Sequence, residues 1–290
     1  LIFSCLPRPL FDEIFYFQQT ILGKKVQTIW LPHGNSDKGR NSPFMEALQT
    51  EECALVYGMQ MIDFFQEKQV LDKLKAFVSI GNFRFHFYQK NRAFYADLVQ
   101  KEVLSFFKKR PQKIILYAPT WQDQENSSSF SSACPVLLEK LPEEFALIVK
   151  PHPHLLKQQS DFLHLLQAHY QKKSNILFLN EFPPIHPLLA YVDIYIGDMS
   201  SIGYDFLAFH RPLFFLNENR KDCAQDKSFY LAQCGEVIEK EDYATIYKRI
   251  KTASLEKRER QKEIYHYAFG KPKSFKTVKK EIFDAARCCY

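Results

Sequence analysis

The sequence is short of glycine and of long apolar runs. Only 9 of its 290 residues are glycine, and no uninterrupted apolar stretch approaches the ~18–20 residues that a membrane-spanning helix needs. A disordered or fibrous composition is therefore excluded, and no membrane-spanning helix is expected. The first residues, LIFSCLPRPLFDEIF, contain neither a basic leader nor a cleavage site, so we expect no signal peptide. They also lack an initiator methionine, as in a chain that begins inside a larger protein.

Paired cysteine motifs are also missing. The 7 cysteines are odd in number, and no two of them form a CxxC motif. We therefore expect reduced thiols, as in a cytosolic protein, and no zinc site.

The net charge of +6 is concentrated at the C-terminal end. Between Lys240 and Tyr290 there are 14 Lys+Arg and 7 Asp+Glu, so the rest of the chain is about neutral. A basic segment can contact anionic lipid, nucleic acid or an anionic substrate. It can also be a solvated helix surface, because interleaved glutamates allow i,i+4 pairing. We favour the solvated surface, with a membrane surface as the second interpretation.

Short apolar runs recur along the chain and mostly do not alternate with polar residues. Such runs are typical of strands buried on both faces of a parallel sheet. Helical patterns separate them, which predicts a doubly wound α/β fold, and the length favours two linked domains. A charged connecting helix is predicted over residues 85–112. The polar, Ser-rich stretch WQDQENSSSFSSACP, from Trp121, is predicted to be an exposed loop after the Lys113 run. The apolar runs begin at Val26, Cys53, Ala76, Lys113, Phe145, Asn175, Asp193 and Pro212.

Ligands of open α/β sheets bind beyond the carboxyl ends of the strands, so the residues after each run are the candidates for a site. In PHGNSDKG, His33 can take a proton near neutral pH, and Gly34 lets the backbone approach a ligand. The same letters are also a turn signal, and both interpretations stay open.

The sequence LIVKPHPH places a cation at the end of another run. Lys150 is a point charge suited to phosphate, and prolines on both sides of His152 restrict its backbone. The alternative is a solvent-exposed loop.

The stretch GDMSSIGYDF is the most informative. Asp198 ends a run, and Ser200 and Ser201 open a helical pattern whose N–H groups and hydroxyls suit a phosphate. Asp205, one turn later, is placed to reach a ribose hydroxyl. The alternative is that one serine is simply an N-cap.

Three further residues follow predicted strands. Thr120 and Trp121 come after the Lys113 run, where Trp121 either stacks on a base or plugs the core. Arg84 pairs either with a phosphate or, as we prefer, with an acid at a domain hinge.

In their order along the chain, these pieces resemble the CDP-glycerol glycerophosphotransferase family, the teichoic-acid primases and polymerases. The resemblance runs from about Val26 to Asn217. It implies a GT-B-like α/β fold of two Rossmann-like domains facing a cleft: an N-terminal, acceptor-side domain over residues 1–90, a nucleotide-donor domain over 91–272, and a C-terminal helix over 273–290 that crosses back. Only 25 residues precede Val26, fewer than the ~100 of a full Rossmann half, so the first domain is expected to be incomplete or reduced. The matching pieces are VQTIWLPHGNSDKG, LVYG, VSIGNFRF, ILYAPTWQD, IVKPHP and DIYIGDMSSIGYDFLAFHRPLFFLN.

The resemblance also implies a reaction. A glycerol phosphate or similar alditol phosphate would pass from a CDP-activated donor to a hydroxyl of a lipid-linked or polymeric acceptor at the cytoplasmic membrane face. No metal, other cofactor or nucleic acid is expected. The matched residues would be His33 as general base, with His152 as the second catalytic residue. The predicted donor-binding residues are Gly34, Thr120, Lys150, Asp198, Ser200, Ser201 and Asp205.

Two departures separate this chain from the family pattern. It reads His-Gly-Asn-Ser from His33 where the family often has His-Gly-Thr-Pro, and Asp-Met-Ser-Ser from Asp198 where Asp-Tyr-Ser-Ser is usual. Two other hypotheses stay open: a GT-B glycosyltransferase that uses a nucleotide sugar, and a degenerate, non-catalytic domain associated with a membrane.

Overall fold

The computed structural model describes residues 1–37, 43–122, 127–182 and 185–289. The chain divides into two compact units. Unit 1 comprises Leu1–Phe83 and Tyr265–Tyr290, and unit 2 comprises Arg84–Ile264. The domain boundaries at residues 90 and 272 stay predictions.

Strands and helices alternate through most of the chain. The strands are β1 (Ile2–Ser4), β2 (Thr28–Trp30), β3 (Cys53–Val56), β4 (Ala76–Ser79), β5 (Lys113–Ala118), β6 (Phe145–Val149), β7 (Ile176–Phe178), β8 (Ile194–Gly197), β9 (Leu213–Asn217) and β10 (Glu236–Glu239). The α-helices are α1 (Asp12–Leu22), α2 (Met59–Glu67), α3 (Phe83–Lys90), α4 (Arg92–Glu102), α5 (Phe130–Lys140), α6 (Pro153–Gln158), α7 (Ser160–Tyr170), α8 (Ile185–Leu189), α9 (Ser201–Phe206), α10 (Ile246–Lys251), α11 (Arg258–Phe269) and α12 (Phe275–Cys288). Short 3-10 segments are Arg8–Phe11, Pro43–Thr50, Leu71–Lys73, Leu104–Phe106, Leu207–Phe209, Lys227–Cys234 and Lys240–Thr245.

Unit 1 contains a parallel sheet of four strands in the order β1-β2-β3-β4. Its C-terminal helix α12 belongs to the same unit and packs against β4. Gln27, the residue before β2, donates from Nε2 to the Ala286 carbonyl at 3.0 Å and so links the start of β2 to the last turn of α12.

Unit 2 contains a parallel sheet of six strands in the order β10-β9-β8-β5-β6-β7. From β5 the chain first builds outward through β6 and β7, and then returns to add β8, β9 and β10 on the other side. The strand order therefore reverses between β5 and β8, which makes a topological switch point where such sheets bind ligands.

The α/β class with parallel sheets, predicted from the apolar runs, is confirmed. All eight runs form strands, β2 to β9, and every residue of β3, β6, β8 and β9 is buried. The sequence analysis missed two edge strands, β1 and β10, although it found the edge strands β4 and β7. β1 is largely exposed and only 3 residues long, and β10 has glutamates at both ends, so neither shows a buried apolar run.

The basic C-terminal segment forms ion pairs on its helices. On α11, Arg260 pairs with Glu263 and Lys262 with Glu259, both three residues apart. This is the pairing expected of a solvated helix surface. Across the described ranges, no helix combines the length and the apolar character needed to cross a bilayer.

Candidate functional site

The residues that follow β5 and β8 meet at the switch point of unit 2. Ala118 in β5 pairs with Gly197 in β8, so the next residues of both strands leave the same edge of the sheet. Asp198 Oδ2 accepts from the Thr120 backbone N–H at 2.7 Å and from the Ser129 N–H at 3.3 Å. The Asp198 side chain, which is buried, thus ties the loop after β5 and the start of α5 to the end of β8.

The Ser-rich stretch was expected to be an exposed polar loop, and for its second half this is wrong. Ser128 and Ser129 are buried, and α5 starts at Phe130. Ser128 Oγ donates to the Thr120 carbonyl at 2.7 Å, and the Ser129 hydroxyl lies 2.9 Å from the Tyr117 hydroxyl. These serines fix Thr120 instead of facing solvent. Residues 123–126 of the stretch lie outside the described residues.

A buried tyrosine holds the hydroxyl of Ser200. The Tyr195 hydroxyl lies 3.1 Å from Ser200 Oγ, and Ser200 makes no capping bond to α9. The N-cap alternative therefore does not describe the side chain of Ser200. Gly197 makes room for this arrangement, because a Cβ at that position would lie 2.3 Å from the Tyr195 hydroxyl oxygen.

Helix α9 is shorter than the sequence pattern suggested. It runs from Ser201 for 6 residues and continues as a 3-10 turn at Leu207–Phe209. So short a helix has a small dipole, so the hydroxyls of Ser200 and Ser201 carry more of the predicted phosphate contact than the helix does.

Lys150 follows β6 with its ammonium group partly withdrawn from water. Its backbone N–H donates to the Tyr117 carbonyl at 2.9 Å, which continues the ladder between β5 and β6. Burial lowers the pKa of the Lys150 ammonium below its ordinary value, and no nearby charge contributes to the shift. Within residues 1–37, 43–122, 127–182 and 185–289, no carboxylate forms an ion pair with Lys150. A desolvated cation without a counter-charge is a strong place for an anion.

His152 caps the next helix with one ring nitrogen. Its Nδ1 accepts from the His154 backbone N–H at 3.1 Å, at the start of α6. An acceptor nitrogen carries no proton, so the neutral ring holds its proton on Nε2 and can donate from there. The capping bond thus selects the tautomer that offers a hydrogen-bond donor.

Trp121 contributes an aromatic wall beside the two histidines. Its ring centroid lies 6.3 Å from that of His152 and 5.1 Å from that of His154, and the two imidazoles stack at 5.3 Å. Trp121 is partly buried against the core, so it is consistent with both interpretations from the sequence.

Asp205 is buried and paired inside unit 2. Arg84 Nη2 donates to both of its carboxylate oxygens at 3.0 Å, and His186 Nε2 lies 3.5 Å from Oδ1. The acidic partner preferred for Arg84 is therefore confirmed. A ribose contact by Asp205 stays a prediction, and this geometry does not support it because Arg84 already engages both oxygens.

His33 and Gly34 lie in unit 1, on the loop that follows β2. His33 is exposed, while its neighbours Asn35 and Asp37 are buried. Asn35 Nδ2 donates to Gln60 Oε1, and Gln60 Nε2 donates to Asp37 Oδ1, both at 2.8 Å. The loop is therefore pinned to the first turn of α2.

The structure thus gathers one group of predicted residues at the switch-point edge of unit 2, and places another in unit 1. The first group is Thr120, Lys150, His152, Asp198, Ser200 and Ser201. The sequence analysis missed the supporting residues Ser128, Tyr195 and Gln60. Gln60 gives the only clear signal among them, as a polar residue at a position where α2 is otherwise apolar. No cluster of three or more His, Cys, Asp or Glu suited to a metal ion occurs in the described part of the chain.

Solved structures with this fold include a wall teichoic acid polymerase. The polymerase TagF matches with a TM-score of 0.60 at 16% identity, over 91% of this chain and 67% of that chain. A structure described as "S. aureus MnaA-UDP co-structure" matches with a TM-score of 0.56 at 12% identity, over 92% and 71%. Both likenesses concern the fold, which is that of TagF and of the GT-B glycosyltransferases.

Sequence comparison identifies the family. The model for CDP-Glycerol:Poly(glycerophosphate) glycerophosphotransferase matches residues 107–269, and the chain belongs to that family. It is 31% identical over 116 residues to the teichoic acid glycerol-phosphate primase of Bacillus subtilis, covering 38% of this chain and 27% of that protein. It is 24% identical over 197 residues to the teichoic acid ribitol-phosphate primase of Bacillus spizizenii, covering 64% and 41%. The aligned segments thus span less than half the length of these relatives.

Proposed function

We propose that the protein transfers glycerol phosphate, or a similar alditol phosphate, from a CDP-activated donor to an acceptor hydroxyl. The acceptor would be a lipid-linked or polymeric component of the cell envelope, as the family and the activities named for its relatives suggest.

The observation that carries the proposal is the state of Lys150. Its ammonium is desolvated, it ends a strand beside the switch point, and it forms no ion pair with a described carboxylate. A diphosphate would supply the missing counter-charge, with His152 Nε2 and the Ser200 hydroxyl as neutral donors around it.

The reaction needs three contributions from the protein. The acceptor oxygen attacks the donor phosphorus that carries the alditol, and its proton passes to a base, for which we propose His33. The bond from that phosphorus to the bridging oxygen breaks, and CMP leaves with the electron pair. Lys150 and His152 would stabilise the charge that develops on the leaving phosphate.

Donor binding can be read from Trp121. The chain has 2 tryptophans, and Trp30 is buried in unit 1, so Trp30→Phe leaves Trp121 as the single tryptophan, which can be excited selectively. We expect CDP-glycerol or CDP-ribitol to change its emission, with CMP and CDP weaker and UDP-sugars weakest. Lys150→Met should require much higher donor concentrations for the same change, and Lys157→Met, an exposed residue of α6, should respond like wild type. A stronger response to a UDP-sugar would contradict the proposed donor.

Transfer itself is tested by CMP release in the presence of a synthetic glycerol-phosphate oligomer carrying an alkyl anchor. His33→Ala should bind donor normally and release CMP about 100- to 10,000-fold more slowly, the usual contribution of a general base, at a residual rate that can still be measured. Full activity of His33→Ala would contradict its role as the base.

We further propose that α12 contacts the cytoplasmic face of an anionic membrane and thereby brings the enzyme to its acceptor. The helix exposes Phe275 and Phe283, and Lys279 Nζ lies 6.0 Å from the Phe283 ring centroid. Apolar and cationic side chains together suit an anionic interface. Sedimentation with phosphatidylglycerol vesicles should be lost at high salt and in Phe283→Ser. Equal sedimentation with neutral vesicles would contradict this contact.

A further inference from the structure

Residues 31–37, the described part of the loop that carries His33, form no helix or strand, yet two of their side chains are almost completely buried. Asn35 is 2% exposed and Asp37 1% exposed. In this chain the residues after His33-Gly34 are Asn-Ser, so the loop has no proline there to limit its backbone. The bonds that these polar side chains make therefore help to fix its shape.

Both buried side chains bond to the same amide, that of Gln60. Gln60 is 3% exposed and sits in the first turn of α2. Its Oε1 accepts from Asn35, and its Nε2 donates to Asp37, each at 2.8 Å. Gln60 thus accepts one hydrogen bond and donates the other, so its position requires a side chain with one acceptor and one donor. Among side chains of this length, a primary amide alone offers both at neutral pH.

The start of α2 is itself held in place within unit 1. A Cβ at Gly58 would lie 2.7 Å from the Ala268 carbonyl oxygen, so the helix N-terminus is in tight contact with the backbone of α11. The Tyr57 hydroxyl donates to the Pro32 carbonyl at 3.2 Å, immediately before His33. Gln60 therefore connects the loop to a rigid support.

We infer that Gln60 is a positioning residue: it fixes residues 35 and 37, and through them the backbone that presents His33 to the acceptor hydroxyl. The inference rests on the proposed role of His33 as the base. Misplacing a catalytic base by about 1 Å can lower the reaction rate ~100-fold. Hydrogen bonds that hold the base from behind prevent that loss.

The variants follow from the two bonds. Gln60→Leu removes both. Gln60→Glu retains size and the bond to Asn35, but it loses the donor and sets a second carboxylate against Asp37. It also favours the helix, because an acidic residue suits the first turn. The matched control is Gln66→Leu, an exposed glutamine on the same helix.

We expect Gln60→Leu and Gln60→Glu to lower kcat for CMP release by about 10- to 100-fold. The Kd for CDP-glycerol, measured by Trp121 emission, should stay within twofold because Lys150, His152 and Ser200, which we propose to hold the donor phosphates, lie in unit 2. Gln66→Leu should leave both quantities unchanged. A normal kcat in Gln60→Glu would overturn the inference even if Gln60→Leu fails to fold.

A double-mutant comparison separates positioning from mere loss of folded protein. If Gln60 acts through His33, then adding Gln60→Glu to His33→Ala should not lower the residual rate further. A further tenfold fall in the double variant would show that Gln60 acts otherwise, and would overturn the inference. Failure of the base proposal has a different signature, since His33→Ala would then be fully active by itself.

Discussion

Replacing Lys150 by methionine should weaken donor binding without weakening the fold. Methionine keeps an unbranched apolar stem of similar length and removes the charge. In the free protein that charge is desolvated and forms no ion pair within the described residues, so its loss should cost the fold nothing. In the donor complex the same charge would meet a phosphate.

The size of the binding effect follows from a charge-assisted hydrogen bond. Such a bond contributes about 1.5–3 kcal/mol, which corresponds to a rise in Kd of roughly 10- to 150-fold. The effect of Lys150→Met on the free energy of unfolding should be favourable, whereas its effect on donor binding is unfavourable. Because the pKa of Lys150 is lowered in the folded state, the unfolded chain binds more protons between that lowered pKa and the ordinary lysine pKa. Wild-type stability therefore rises with pH through that window, and below it the charge costs stability.

Two measurements test this reasoning on Lys150→Met with Lys157→Met as control. Titration of Trp121 emission with CDP-glycerol gives Kd, and urea unfolding at pH 7 and at alkaline pH gives the free energy. We expect a raised Kd, and at pH 7 an unfolding free energy equal to or above that of wild type. The stability difference should shrink as pH rises. A variant that binds donor normally, or that loses more than ~1 kcal/mol of stability, would refute the argument.

The remaining predictions concern residues around this edge and one buried thiol. His152→Asn keeps a good N-cap, so its free energy of unfolding in urea should equal that of wild type, while CMP release is lost. His152→Ala should lose CMP release and also about 1 kcal/mol of stability, because the cap is removed. Asp205→Ala should destabilise the fold by about 2–4 kcal/mol. This is toward the low end of what a broken buried pair costs, because the side chain of Arg84 is 27% exposed. A loss below ~1 kcal/mol in urea unfolding would contradict an energetically important pair. Burial raises the pKa of the Cys53 thiol to about 12. After brief N-ethylmaleimide treatment at pH 7.5, mass spectrometry should therefore find adduct on exposed Cys288 and none on Cys53. Equal labelling of the two cysteines would contradict the burial of Cys53.

The sheets could be predicted because their central strands are buried on both faces. A strand such as β6 is buried at every position, and that leaves a short continuous apolar run in the sequence. Edge strands carry no such requirement, and β1 and β10 show no buried apolar run, whereas the edge strands β4 and β7 are apolar enough to be recognised. Parallel pairing also explains why residues after separate runs were expected to share one edge, since the carboxyl ends of parallel strands all point the same way.

The partners of the site residues could not be predicted in the same way. Asp205 and Arg84 are 121 positions apart, and only the packed unit shows which cation reaches which acid. Ser200 and Tyr195 are close in sequence, but their contact forms only because the buried Tyr195 side chain reaches from β8 to Ser200, which lies beyond the end of that strand. Hydrogen-bond partners are set by packing, and packing is a property of the whole sheet.

The contrast between two cations of unit 2 shows which part of the structure serves ligand binding. Arg84 is partly buried and engages both oxygens of Asp205, so its charge is balanced within the fold. Lys150 is also partly withdrawn from water, and no ion pair to a described residue balances it. A sequence under selection for stability alone would pair such a lysine or replace it by an apolar residue, since an unpaired buried charge is destabilising and such replacements are easily reached. Local rules of folding are broken mainly at functional sites. The unbalanced charge at the end of β6 is therefore stronger support for an anionic ligand than any balanced pair nearby.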